Sequence, residues 1–145
     1  MAWRAAAAGP VVFTNGVFDL LHSGHVTLLE HARAFGGSLI VALNSDASVR
    51  TLGKGPHRPL VSERDRARLV AALGCVDCVV LFEPSTPIEV IEALTPDILV
   101  KGADYRAETV VGADVVRRRG GRIEIVPLVP EQSTTRIAER LRASS

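Results

Sequence analysis

Apolar residues along this chain fall into two alternating patterns. Short apolar runs at Val11–Thr14, Ser38–Leu43, Cys78–Phe82, Ile98–Val100 and Arg122–Val126 read as strands, most of them buried on both faces. Between them lie stretches of helical period. Val26–Phe35 carries apolar residues at 28, 29, 32 and 35 and is closed by Gly36-Gly37. Asn44–Leu60 is polar and punctuated by Gly and Pro, a loop holding one short helix at Asp46–Arg50. Ser62, three residues before Asp65, is placed to cap a helix over Glu63–Leu73. Further helices are expected at Thr86–Leu94 (entered at Pro87), Ala107–Arg119 and Ser133–Arg142.

Strand and helix in strict alternation imply an α/β fold: a Rossmann-like, doubly wound, five-stranded parallel sheet with helices on both faces. Residues 11–142 make one domain between short tails at 1–10 and 143–145. In such sheets a ligand sits beyond the carboxyl ends of the strands, where the strand order reverses.

Composition agrees with that architecture and narrows the function. The chain has 145 residues, of which 47% are hydrophobic and only 4% aromatic, so the core must be built from Val, Leu, Ile and Ala. Seventeen basic residues nearly balance sixteen acidic ones, for a formal charge of +1. No basic stripe or stacking platform for nucleic acid is evident. Arg117-Arg118-Arg119, beside Gly120-Gly121, reads as a solvated helix end. No run approaches the ~20 apolar residues that span a bilayer. Two cysteines and no secretion signal point to a reducing, cytoplasmic setting without a membrane partner.

The first strand-to-helix turn holds the most unusual chemistry, Phe18-Asp19-Leu20-Leu21-His22-Ser23-Gly24-His25. His22 and His25 are three apart, so at a helix start both imidazoles can project to one side. Gly24 leaves room for a phosphate to approach the backbone, and the unpaired first-turn N–H groups add positive potential. Together these suit an α-phosphate gaining charge during in-line attack. Two other readings compete: ordinary surface histidines, and a zinc site shared with Cys75 and Cys78. The cysteines read better as small core residues, because Cys78 opens an apolar strand. A dinucleotide-dependent redox enzyme is disfavoured, since this turn lacks Gly-x-Gly-x-x-Gly. Far downstream, Ser133-Thr134-Thr135 opens the last helix, where hydroxyls can cap it, hold phosphate, or do both.

His22-Ser23-Gly24-His25 with Gly16 and Phe18-Asp19 upstream, and Ser133-Thr134-Thr135-Arg136-Ile137 near the other end, resemble the two signatures of the cytidylyltransferase-like nucleotidyltransferase superfamily. Asn44-Ser45-Asp46 and Lys101-Gly102-Ala103-Asp104-Tyr105 extend the likeness, which covers about residues 11–142. Within the superfamily the run most resembles the bacterial D-glycero-β-D-manno-heptose 1-phosphate adenylyltransferases.

The resemblance implies transfer of AMP from ATP to a sugar 1-phosphate, with His22, His25 and Lys54 catalytic. It implies nucleotide or phosphate contacts from Asn15, Gly16, Phe18 and Gly24 on the first turn. Lys101, Gly102, Asp104, Ser133, Thr134 and Thr135 would complete them. Asp19, Asp46 and Arg58 are expected on the acceptor side, Asp19 also orienting the histidine loop and Asp46 also able to cap the short helix after it. Lys54 by itself reads as a solvated lysine on a flexible loop, and Asp104 as an Asx turn. Mg²⁺ is expected to arrive with the triphosphate, and the resemblance suggests a homodimer. The acceptor's phosphate is already ionised at neutral pH, so no strong base is needed. The alternatives are a cytidylyltransferase acting on glycerol 3-phosphate, or a related alcohol phosphate, and a non-catalytic nucleotide-binding regulatory module.

Overall fold

A computed structural model describes residues 6–53, 55–103, 109–127 and 140–142. Five strands, β1 (Val11–Gly16), β2 (Ser38–Asn44), β3 (Cys78–Phe82), β4 (Ile98–Gly102) and β5 (Arg122–Val126), form one sheet in the order β3-β2-β1-β4-β5. Every neighbouring pair is parallel. The chain runs outward from β1 through β2 to β3, then returns past β1 to lay down β4 and β5. The strand order therefore reverses between β1 and β4, as a doubly wound sheet requires.

Among the described residues five helices connect these strands: α1 (Ser23–Ala34), α2 (Asp46–Thr51), α3 (Glu63–Ala71), α4 (Ile88–Leu94) and α5 (Ala113–Arg118). Alternation along the strands decides which helix covers which face. Val11, Phe13, Ile40, Ala42 and Leu99 pack with Ile91 and Leu94 of α4 and Ala113 and Val116 of α5. Val12, Leu39, Val41, Leu43, Ile98 and Val100 face the other way, onto Leu29 and Ala32 of α1 and Val70 of α3. Each Val or Leu so enclosed contributes on the order of 2 kcal/mol of burial, which lets the sheet do without aromatics at most positions.

Strand entry is fixed by two aspartates at the amino-terminal edge. Asp77 accepts from the Leu39 backbone N–H at 2.8 Å, and Asp97 accepts from that of Val11 at 2.7 Å. Each aspartate lies just before one strand and clasps the start of its neighbour, so the parallel register is set before the ladder begins. A depression of about 440 Å³ at this edge is lined by Pro10, Asp97, Arg119 and Arg122 among others. It lies at the opposite end of the strands from the histidines.

Several boundaries differ from the sequence pattern. β1 continues through Asn15 and Gly16, which pair with Ala42 and Leu43, so strand pairing overrides a dipeptide that ordinarily signals a turn. α1 begins at Ser23 rather than Val26, because its cap is made by histidines. α3 ends at Ala71, and α4 begins at Ile88, after Pro87. The expected Ala107–Arg119 helix is shortened: residues 109–112 are not α-helical, and α5 starts only at Ala113. The reason is Gly112, which sits at φ +87° as the N-cap and cannot belong to a right-handed helix. The other end behaves as read. Gly121 N–H donates to Val116 O and Gly120 N–H to Arg117 O, both at 2.9 Å, closing α5 in a Schellman motif beside its three arginines. Of the expected Ser133–Arg142 helix, residues 140–142 are helical and the remainder lies outside the described residues.

Gly112 supplies a test of this geometry. A Cβ there would stand 2.6 Å from Ile91 Cδ1, on a backbone already in the left-handed region. Gly112→Ala should lower stability by about 1–3 kcal/mol, read as a lower urea midpoint at unchanged slope. An unchanged midpoint would contradict the left-handed assignment.

Candidate active site

At the switch point the sheet opens. The β1–β2 ladder runs the full length of β1, from Val11–Ser38 to Gly16–Leu43. The β1–β4 ladder contains only Val12–Ile98 and Phe13–Leu99. Beyond it, side chains span the two strands: Thr14 Oγ1 donates to Val100 O at 2.8 Å, and Lys101 Nζ donates to Asn15 O at 3.0 Å. Lys101 is therefore drawn inward, only 8% exposed, bridging the very crevice in which it was expected to meet a nucleotide.

The turn leaving β1 is conformationally costly. Phe18 and Leu20 adopt φ of +52° and +51°, unusual for side chains of this size. The Phe18 ring folds back into the core, and a Cβ on Gly16 would come within 2.9 Å of it, so glycine is needed there for packing. The same ring lies 5.1 Å from that of His25. Phe18 thus acts as a wedge under the histidine pair, and the structure gives both Gly16 and Phe18 a packing role.

α1 starts with a reciprocal cap made of imidazoles. His22 is the N-cap, and its Nδ1 accepts from the Gly24 N–H at 3.1 Å. His25 at the third helical position returns the favour, its Nδ1 accepting from the His22 N–H at 3.3 Å. The rings stack with centroids 3.8 Å apart and planes inclined by 23°. A nitrogen that accepts carries no proton, so both neutral rings are protonated at Nε2. Both histidines consequently present an N–H donor beside a helix N-terminus. His22 Nε2 is itself shut off from water and has no partner among the described residues.

Burial lowers the pKa of His22. It lowers that of His25 further, to about 4, with added repulsion from His22 and a partial opposing pull from Asp19. Both rings are neutral near pH 7, the state their capping role demands.

Asp19, expected on the acceptor side, is buried and turned into the protein. Its carboxylate accepts from Leu60 N–H at 2.7 Å, Val61 N–H at 2.9 Å and Arg58 Nη1 at 3.2 Å. Asp19 and Arg58 are thus brought together as an ion pair that pins residues 58–61 beneath the histidine turn. Asp46 does not cap α2; Ser45 does, accepting from the Ser48 N–H. Asp46 instead pairs through Oδ1 with Arg66 Nη2 at 2.8 Å, and its own N–H donates to Glu63 Oε1. Ser62 caps α3 as the pattern indicated. Lys54, Asp104, Ser133, Thr134 and Thr135 lie outside the described residues.

Arg66 was not singled out by sequence, although the structure places it at the centre of this network. The signal was present: Arg66, Val70 and Leu73 follow i, i+4, i+7, which sets Arg66 on the buried stripe of its helix. The cysteines separate from each other. Cys75 packs with the α1/α3 core and Cys78 with the α4/α5 core, on opposite faces of the sheet, and burial raises both thiol pKa values. Among the described residues no three His, Cys, Asp or Glu side chains cluster as metal ligands, and no helix is long and apolar enough to cross a membrane.

Comparison with known proteins bears on this geometry. Residues 13–140 match the family model described as cytidylyltransferase-like. The chain is 64% identical over 141 residues to the bifunctional protein HldE of Magnetococcus marinus, and 60% identical over 131 residues to that of Syntrophotalea carbinolica. These alignments cover 97% and 90% of this chain but only 28% and 26% of the relatives, so the chain spans little more than a quarter of their length. Among solved structures, the lipopolysaccharide core biosynthesis protein from Thermoplasma volcanium superposes with a TM-score of 0.67 at 27% identity, covering 84% of this chain and 98% of that one. Pantothenate synthetase from Thermus thermophilus shares the fold alone, with a TM-score of 0.55 at 17% identity over 87% of this chain and 58% of its own.

The imidazole cap makes a pH prediction. The folded pKa of His25, about 4, lies below its ordinary value of 6.5. Between these values the unfolded chain binds more protons, so His25 makes stability fall as pH drops from 6.5 toward 4, by at most about 3 kcal/mol. Gln is a natural residue at this cap position. His25→Gln should match the parent near pH 7.5 and lose stability less steeply between pH 6.5 and 4, measured by urea unfolding. Parallel curves would refute a depressed His25.

Proposed function

The chain belongs to the cytidylyltransferase-like family of nucleotidyltransferases, and from that premise we propose that it transfers AMP from ATP to a sugar 1-phosphate, D-glycero-D-manno-heptose 1-phosphate, yielding ADP-heptose and pyrophosphate. The observation carrying the reading is the stacked His22/His25 pair, whose Nδ1 atoms are both occupied by the cap, so that each neutral ring carries its N–H at Nε2, that of His22 buried and without a partner among the described residues.

In this reaction an oxygen of the acceptor phosphate attacks the α-phosphorus, the bond to the bridging αβ oxygen breaks, and pyrophosphate leaves. With second pKa near 6, the acceptor arrives ionised, so no side chain need remove a proton. The histidines then act as hydrogen-bond donors to non-bridging oxygens where charge accumulates, helped by the N-terminus of α1. Neutral donors held by a rigid cap require no reorganisation as that charge develops. Lys54, Ser133, Thr134 and Thr135 are assigned to the transferring and leaving phosphates, and Asp104 to the nucleotide, on family resemblance. Mg²⁺ would enter with the triphosphate, held mainly by phosphate oxygens, and would neutralise the leaving pyrophosphate.

Two measurements test the proposal. Pyrophosphate release should be fastest with ATP and heptose 1-phosphate in a screen crossing ATP, GTP and CTP with heptose 1-phosphate and glycerol 3-phosphate. Turnover confined to CTP with glycerol 3-phosphate would make the chain an alcohol-phosphate cytidylyltransferase; nucleotide binding without any turnover would make it a regulatory module. Second, Asn is a good N-cap, so His22→Asn keeps the helix start while removing the imidazole. Its kcat should fall by about 100-fold or more with stability nearly unchanged. A His22→Asn protein as active as the parent would remove His22 from the chemistry.

A further inference from the structure

Among the described residues Arg66 is the largest fully buried side chain, 0% exposed. Its guanidinium makes four hydrogen bonds to three separate segments. Nε donates to Val61 O at 2.9 Å, Nη1 to Val17 O and Asn44 O at 2.8 Å each, and Nη2 to Asp46 Oδ1 at 2.8 Å. These acceptors are the exit of β1, the last residue of β2, the loop before α3 and the first residue of α2. All lie at the carboxyl end of the sheet, on the β2 side of β1.

Val17 O belongs to the peptide that leads into Phe18, the first of the two left-handed residues in the histidine turn. Such backbone persists only where its surroundings over-determine it. Two restraints from outside the turn do so here. Arg66 holds Val17 O, and the Asp19 carboxylate is held by Leu60 N–H, Val61 N–H and Arg58. Val61 belongs to both, donating its N–H to Asp19 and offering its O to Arg66. The turn, the 58–61 segment and α3 are therefore one closed unit. Through Phe18, whose ring rests against His25, the position of Val17 becomes the position of the imidazoles.

We propose that Arg66 is a positioning residue for the histidine pair: its planar fork fixes the left-handed turn that sets where both Nε2–H groups stand. Lysine keeps the charge opposite Asp46 but cannot span four acceptors in a plane. The effect on turnover rests on the nucleotidyl transfer proposed above, whereas the effect on the histidines does not.

The test compares Arg66→Lys and Arg66→Gln with Val70→Ala, a core truncation one turn further along the same helix. Folding is followed by circular dichroism and thermal melting, and the imidazoles by nitrogen chemical shifts and histidine titration in the ligand-free 145-residue chain. In a folded Arg66 variant the His25 midpoint should rise from about 4 toward 6.5 as the stack loosens. Its kcat should fall on the order of 100-fold, the cost of misplacing groups by about an ångström, with little change in KM. Val70→Ala should lose stability and leave both readouts in place. Folded Arg66 variants with parental titration and parental kcat would overturn the proposal. So would a Val70→Ala protein that moves both readouts equally, or loss of the fold in both Arg66 variants, since either makes Arg66 a stability residue alone. If the parent chain consumes no triphosphate, nucleotidyl transfer fails, and the titration by itself decides the role of Arg66.

Discussion

The reciprocal imidazole cap ties fold to chemistry in this molecule. A helix N-terminus leaves backbone donors unsatisfied, and here His22 Nδ1 and His25 Nδ1 satisfy two of them. Using the δ nitrogens as acceptors fixes the tautomer, so the ε nitrogens must be donors. Burial of the turn keeps both rings neutral, reinforced at His25 by its neighbour 3.8 Å away. One local constraint thereby decides the charge, tautomer and direction of the two groups on which the site depends. A Ser or Asp cap would stabilise the helix as well, but would leave no N–H to offer.

Around the cap, several charged side chains among the described residues are employed in holding loops. Asp19, Arg58, Asp46, Arg66 and Lys101 bond to backbone groups or to each other across the carboxyl ends of the strands. A buried charge persists only when its hydrogen-bonding capacity is met, and each of these is hydrogen-bonded. The architecture explains why they are needed there. The β1–β4 ladder ends at Phe13–Leu99, so the backbone itself does not close the crevice, and side chains must set its width. Thr14 and Lys101 do this across the split, while Arg66 ties the end of β2 and the loop before α3 to the exit of β1.

Much of this was legible in the sequence, and the parts that were not have physical reasons. Buried strands declare themselves as apolar runs, and the histidine pair stood out because two imidazoles at a strand-to-helix turn are rarely needed for packing. The starts of β1 and β2 were read correctly, but their ends were not. Asn15, Gly16 and Asn44 are polar or small, and only pairing with a neighbouring strand keeps them extended. The helix expected from Ala107 failed at Gly112, whose left-handed backbone is a tertiary choice against Ile91. Arg66 stayed hidden inside Glu63-Arg64-Asp65-Arg66, since a charged run reads as solvated unless its helical phase against Val70 is followed. For Asp19 and Lys101 the sequence indicated the right location, beside the crevice. It did not indicate direction, because whether a charged side chain faces a ligand or its own backbone depends on partners distant in sequence.

Neutral donors also bear on how a site of this kind would divide its labour. Two stacked imidazolium ions at the positive end of α1 would repel each other and the helix dipole, so the site favours neutral rings. A cluster of fixed cations would bind triphosphate and pyrophosphate strongly at every stage, and binding that is uniform along the reaction does not raise kcat. Preorganised N–H donors gain most where negative charge grows, at the α-phosphate of the transition state. Arg66, whose guanidinium holds the turn through Val17 O, is fully buried and adds structure rather than ground-state affinity. In the proposed nucleotidyl transfer, recognition of base and acceptor would fall to the segments that follow β2 and β4. The histidine turn can then remain rigid while those segments vary, so one reaction can serve different acceptors without rebuilding the cap.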